Sequence, residues 1–156
     1  MSTPDHLYRF VFEHANVRGE IVQLDDTYRS VLARREYPPV LQRLVGEALA
    51  AAALLTATLK FRGSLSLQIQ GQGPLTLLLV QAGSDAGLRA LARWDGELPT
   101  EGDLTALCKG GYLAITIDPE DVATAIRGSL HWSRAAWPPR SIRTFASRSS
   151  WQRGFG

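Results

Sequence analysis

A chain of 156 residues, 45% of them hydrophobic, is long enough to close one core that buries about 70% of the surface its unfolded form exposes. Its one cysteine, Cys108, excludes an internal disulfide framework and a multi-cysteine metal site within the chain, and fits a reduced, cytosolic compartment. The formal charge of +2 divides unevenly: residues through Glu120 carry 11 Lys and Arg against 14 Asp and Glu, whereas Asp121 onward carries 6 Arg against 1 Asp.

Met1–His6 contains no basic region leading into an apolar one, so no secretory signal is expected. Leu7–Phe12 and Val17–Leu24 alternate in the manner of strands, and Arg18-Gly19-Glu20 suggests a bulge or a close backbone approach there, or else a solvated edge with a local ion pair. Asp25-Asp26-Thr27 can cap a helix over Tyr28–Arg35, which Tyr37-Pro38-Pro39 ends. A second helix follows from Val40 to Leu59 with Pro39 in its first turn. Its Ala and Leu content leaves almost no polar face, so it is expected to be enclosed by the domain, and its apolar run Ala48–Leu59 is too short to span a bilayer.

Gly63 is expected to stop that helix. From Ser64 the pattern is strict alternation, with Leu65, Leu67 and Ile69 on one side and Ser64, Ser66, Gln68 and Gln70 on the other. Gly71-Gln72-Gly73-Pro74 supplies a turn, and Leu75–Val80 reads as a strand covered on both faces. Gly87–Trp94 alternates again, Leu104–Leu107 is a helical turn, and a strand follows Gly110-Gly111. About six strands with two helices grouped between them predict an α+β domain, a mostly antiparallel sheet covered by helices.

The run from Leu54 to Phe61 followed by Gly71-Gln72-Gly73-Pro74, together with Val17-Arg18-Gly19-Glu20 and Gly110–Pro119, resembles the N-terminal domain of the 33-kDa chaperonin family, the redox-regulated holdase heat-shock protein. The resemblance covers roughly residues 5 to 120, in the family's order. It implies a cytoplasmic, ATP-independent chaperone that binds unfolded client proteins, forms a homodimer, and is switched by oxidation of a C-terminal zinc module with four cysteines. That module is not encoded in these 156 residues, so the chain is expected to be an incomplete holding domain without the zinc switch.

Residues 121–156 do not continue the resemblance. Read one base earlier, His131-Trp132 forces Leu, and Trp137-Pro138 and Trp151-Gln152 each force Ala, whichever codons are used. The permitted residues between them reproduce the family's continuation in order and spacing. A change of reading frame near Asp121 is therefore expected, with a naturally divergent tail as the other reading. Loss of the following segments would uncover part of the Val40–Leu59 helix and favour self-association.

No residue stands out as catalytic. There is no G-x-S-x-G elbow and no spaced carboxylate pair, and Gly71-Gln72-Gly73 lacks the further glycine and the Lys-Ser/Thr of a phosphate loop. His6, His14 and His131 are scattered and form no chelating pair, and Cys108 reads as a small core residue. No enzyme, no metal and no cofactor is expected in this chain, and the client-binding residues stay unassigned. Six tail arginines interleaved with Trp132, Trp137 and Trp151 admit a single-stranded nucleic-acid binder as an alternative function, and a nonfunctional product of a disrupted gene is another. No membrane partner is expected.

Overall fold

The computed structural model describes residues 4–14, 17–59, 62–85, 87–121, 124–132 and 142–145. An N-terminal hairpin of β1 (His6–Phe12) and β2 (Val17–Gln23) leads into α1 (Asp26–Leu32) and the long α2 (Pro39–Thr58). A meander follows: β3 (Gly63–Gly71), β4 (Leu75–Gly83) and β5 (Leu88–Trp94), then α3 (Leu104–Cys108), β6 (Gly111–Pro119), β7 (Ile126–Trp132) and β8 (Ile142–Phe145). The hairpin forms a sheet of its own, and the other strands make one antiparallel sheet in the order β5-β4-β3-β6-β7-β8. The fold is α+β, and β7 and β8 continue the sheet past the boundary expected at residue 120.

Helix α2 organises the core. Val40, Leu41, Leu44, Val45, Ala48, Leu49 and Ala52 recur at helical spacing and are all buried, forming one stripe against β3, β4 and β5. Leu65, Leu67 and Ile69 of β3 meet that stripe together with Leu78 and Val80 of β4 and Ala92 of β5. At 20 residues and a mean hydropathy of 1.4, α2 is long and apolar enough to cross a membrane by length and composition, so the shortness of the Ala48–Leu59 run does not by itself place it. Its packing places it, as the core helix of the domain.

The enclosure expected for α2 is partial. Beyond Ala52 the side chains from Ala53 to Ala57 are half-buried, and Thr58 and Leu59 are exposed. The helix ends at Leu59, which turns to extended backbone while its N–H donates to Leu55 O, so Gly63 opens β3 rather than stopping the helix. In β4 the expected cover on both faces is also incomplete: Leu75, Leu78, Val80 and Ala82 are buried, but Leu77 and Leu79 on the side away from the helix are only half-buried.

Two local details differ from the sequence pattern. Asp25 stands at the N-cap of α1 without a capping bond from its side chain, which instead pairs with Arg29 four residues on. The capping role passes to Asp5, whose carboxylate accepts from the backbone N–H of Asp25 at 2.7 Å and of Thr27 at 3.2 Å. The β1–β2 register runs without a break through Arg18, Gly19 and Glu20, and the sheet's irregularity lies instead between Leu75 and Leu77 of β4.

Candidate functional site

The expected strand over residues 7–12 places its side chains alternately on two faces. Tyr8, Phe10 and Phe12 stand on one, opposite Ile21, Gly19 and Val17 respectively. Phe10 and Phe12 meet edge to face at 5.5 Å, and His6 and Tyr8 lie 5.7 Å apart, so one edge of the hairpin carries a row of rings. The space above Gly19 is filled by the ring of Phe10. It is this ring, not a neighbouring backbone, that approaches Gly19 closely.

The other face turns toward α2. Arg9 pairs with Glu20 at 3.0 Å, and its second guanidinium nitrogen donates to Ala57 O at 2.7 Å. Glu20 also accepts from the Thr58 hydroxyl at 3.1 Å. Three groups thus fasten the hairpin to the last turn of α2, where a cation also faces the negative end of the helix. A cleft of about 490 Å³ opens beneath, lined by Leu7, Val22, Leu24, Ala53, Ala57 and Leu88 among others. The ion pair that the Arg18-Gly19-Glu20 pattern suggested joins Glu20 to Arg9 across the strands.

Apolar exposure is concentrated on this hairpin. Of the nine large hydrophobic side chains that are exposed among the described residues, seven (Leu7, Tyr8, Phe10, Val11, Phe12, Val17 and Ile21) belong to β1 and β2. A second apolar surface lies on β6 and β7. Leu113, Ile115 and Ile117 share the face of Ile69, Leu67 and Leu65, and Leu130 and Ile126 extend it, with Ile126 50% exposed.

The remaining candidates are dispersed. Cys108 is fully buried in the core, and burial pushes its thiol pKa up to about 11. Gly71-Gln72-Gly73 is the β3–β4 turn, where the N–H groups of Gln72 and Gly73 both donate to Cys108 O at 2.8 and 2.7 Å. His6 sits in β1, His14 beyond the end of β1, and His131 in β7 at 5.4 Å from Tyr112. No group of three His, Cys, Asp or Glu side chains comes together among the described residues. The one cysteine, Cys108, is buried and has no second cysteine to share a metal with. Of the tail residues, Arg127 donates to the Thr116 hydroxyl at 3.1 Å, and Trp137 and Trp151 lie outside the described residues.

The family model described as Hsp33 protein matches residues 5–134. The chain belongs to the Hsp33 family. A 33 kDa chaperonin of Shewanella sp. (strain MR-4) is 50% identical over 117 residues, covering 75% of this chain and 41% of the relative. One from Aeromonas salmonicida (strain A449) is 52% identical over 120 residues, covering 77% and 41%. The chain therefore spans about two fifths of the length of the Hsp33 relatives it matches. The solved structure of the 33 kDa chaperonin of Thermotoga maritima shares the fold, with a TM-score of 0.70 at 23% identity over 80% of this chain and 44% of that one.

The sequence pattern singled out no binding residue on the outer face of the hairpin. The signal was present in the alternation of Tyr8, Phe10 and Phe12. What the sequence did not disclose is that no other segment among the described residues lies over it.

Proposed function

We propose that this chain is a holdase: it binds unfolded polypeptides through exposed apolar surface, without ATP, and keeps them from aggregating. The observation that carries this reading is the concentration of uncovered aromatic and aliphatic side chains on β1 and β2 in a member of the Hsp33 family. Its single cysteine is buried and its thiol is held protonated, so Cys108 itself gives the holding surface no oxidant-sensitive group. Self-association as a homodimer belongs to the same proposal and is supported by the apolar side of β6 and β7. Membership of the Hsp33 family, whose curated relatives are named 33 kDa chaperonins, supports a cytoplasmic, non-enzymatic role.

The test is light scattering from a thermally unfolding client protein, with and without the purified chain and with no nucleotide present. Suppression near equimolar ratio, unchanged by peroxide or by a zinc chelator, is expected. A client that aggregates equally fast in its presence would sink the reading, and suppression only after peroxide would sink the switch-free part of it.

For residues 121–156 the forced codons support a frame change near Asp121, whereas the match to residue 134 and the pairing of β7 with β6 favour a reading in frame past that point. Sequencing the DNA across the codons for Ile117–Gly128 separates the two. A one- or two-base discrepancy there makes the tail a product of the wrong frame; an unaltered frame leaves it part of the protein.

A further inference from the structure

We propose that the outer face of the β1–β2 hairpin is where this chain holds its client, and that the client segment it fits is extended, uncharged and apolar, lying along the row of Tyr8, Phe10 and Phe12. The inference rests on the holdase reading and gives it a place and a shape.

A row of rings, rather than exposure alone, separates this face from the rest of the apolar surface: Val11 on the opposite face is 68% exposed and Ile126 of β7 is 50% exposed. Leu55 of α2 and Leu113, Ile115 and Ile117 of β6 are half-buried and pack against the core. Tyr8, Phe12, Val17 and Ile21 are 51–57% exposed, Phe10 is 39% exposed, and none of them packs against the core cluster. Among the described residues they take no part in the core cluster, which leaves them available to a partner.

Size and charge select the occupant. Each strand of the hairpin has 7 residues. At about 3.4 Å per residue and a width of about 10 Å for two strands, the face offers roughly 240 Å². A stable dimer needs about 800 Å² from each partner, so this face alone is too small to hold a second copy. A single extended segment of six or seven residues has the same length as the face. The charged side chains of the hairpin, Arg9, Arg18 and Glu20, stand on the opposite face, leaving the ring row without a group to pair an acidic peptide or a phosphate. An uncharged apolar segment is what remains.

The face is also held ready. The rungs Tyr8–Ile21, Phe10–Gly19 and Phe12–Val17 are set by an unbroken register, and Arg9 and Glu20 fix the hairpin to α2. Aromatic side chains with few rotatable bonds lose little freedom when a partner covers them, which suits weak contact with many different sequences.

The test compares the full chain with the variant Tyr8→Thr/Phe12→Thr/Ile21→Thr. Threonine keeps strand propensity, and the three residues do not pack against the core, so circular dichroism and melting temperature are expected to match. The single variant Tyr8→Thr serves if the triple one does not fold. The probe is a fluorescein-labelled decapeptide of alternating Leu and Ser, read by anisotropy, alongside suppression of client aggregation and sedimentation velocity. Peptide affinity is expected to fall about tenfold in the triple variant, the equivalent of about 1.4 kcal/mol, and about twofold to threefold in the single one, with aggregation suppression falling in parallel and sedimentation unchanged. A folded variant that binds and holds as well as the parent chain overturns the placement. So does a variant whose sedimentation drops from dimer to monomer, which makes the face an interface between copies, or loss of binding to neutral phosphatidylcholine vesicles by the variant alone, which makes it a lipid contact. A parent chain that neither binds peptide nor suppresses aggregation overturns the holdase reading itself.

Discussion

The ring of Phe10 occupies the space in which a side chain on Gly19 would stand, directly across the rung that pairs the two residues. The obstacle is the far end of an exposed side chain, which can swing away. Gly111 presents the opposite case. Its φ is +149°, and an added Cβ would collide with the backbone carbonyl of Gln70 on the paired strand β3. Gly19→Ala is therefore expected to change unfolding free energy by less than about 1 kcal/mol, whereas Gly111→Ala costs about 2–3 kcal/mol. Equal shifts in the urea midpoint for the two variants would contradict this account of both sites.

Asp5 and Asp25 exchange the roles their positions suggest. Asp5→Ala removes the acceptor for two backbone N–H groups at the start of α1 and is expected to cost about 1 kcal/mol. Asp25→Ala removes an exposed pair with Arg29, 62% exposed on the arginine side, and is expected to cost no more than about 0.5 kcal/mol. Chemical denaturation of the two variants checks the order. A larger loss at Asp25 would return the cap to the residue next to the helix.

The period of the apolar residues was enough to read most of the main sheet and the long helix α2. Leu65, Leu67 and Ile69 alternate because one face of β3 meets α2, and Pro39 in the first helical turn marks where α2 begins. The cap at Asp5 could not be read in the same way, because the acceptor lies 20 residues from the backbone it serves. The end of α2 at Leu59 was legible, but the stop was assigned to Gly63, a strong local signal whose positive φ is used by β3 rather than by a helix terminus. The open face of the hairpin was hardest of all. Alternation shows that Tyr8, Phe10 and Phe12 share a side, but only the tertiary arrangement shows that this side is left open.

Leu49 tests the central packing. It is fully buried in the stripe of α2, amid the side chains of the meander. Leu49→Ala is expected to destabilise the chain by about 2–5 kcal/mol through lost transfer energy and the cavity left behind. Leu54→Ala, farther along the helix where side chains are only half-buried, is expected to cost less than half as much. Thermal melts of both report the gradient, and similar losses would mean that α2 is covered evenly along its length.

Cys108 gives a pH signature. Because burial raises the folded pKa to about 11, the folded chain keeps the thiol proton where the unfolded chain, at 9.0, has begun to lose it. The resulting stabilisation is complete below pH 9 and is lost as pH rises to about 11, with a span on the order of 2–3 kcal/mol. Denaturation from pH 8 to pH 11 is expected to show this loss in the parent chain and a shallower slope in Cys108→Ala. At pH 7.5, alkylation by iodoacetamide is expected to be slow until urea opens the core. Prompt labelling of the folded chain would contradict both the burial and the indifference to oxidants.

The order of strands in the large sheet also fixes a sequence of events during synthesis. Helix α2 meets β3, β4 and β5, all of which are complete by Trp94, so helix and meander can assemble from short-range encounters while the rest of the chain is still being made. The free side of β3 then waits for Gly111–Pro119, a strand separated from it by β4, β5 and α3. During that interval the nascent chain exposes a central strand edge of its own, and is for a time the kind of aggregation-prone species that holdases act on.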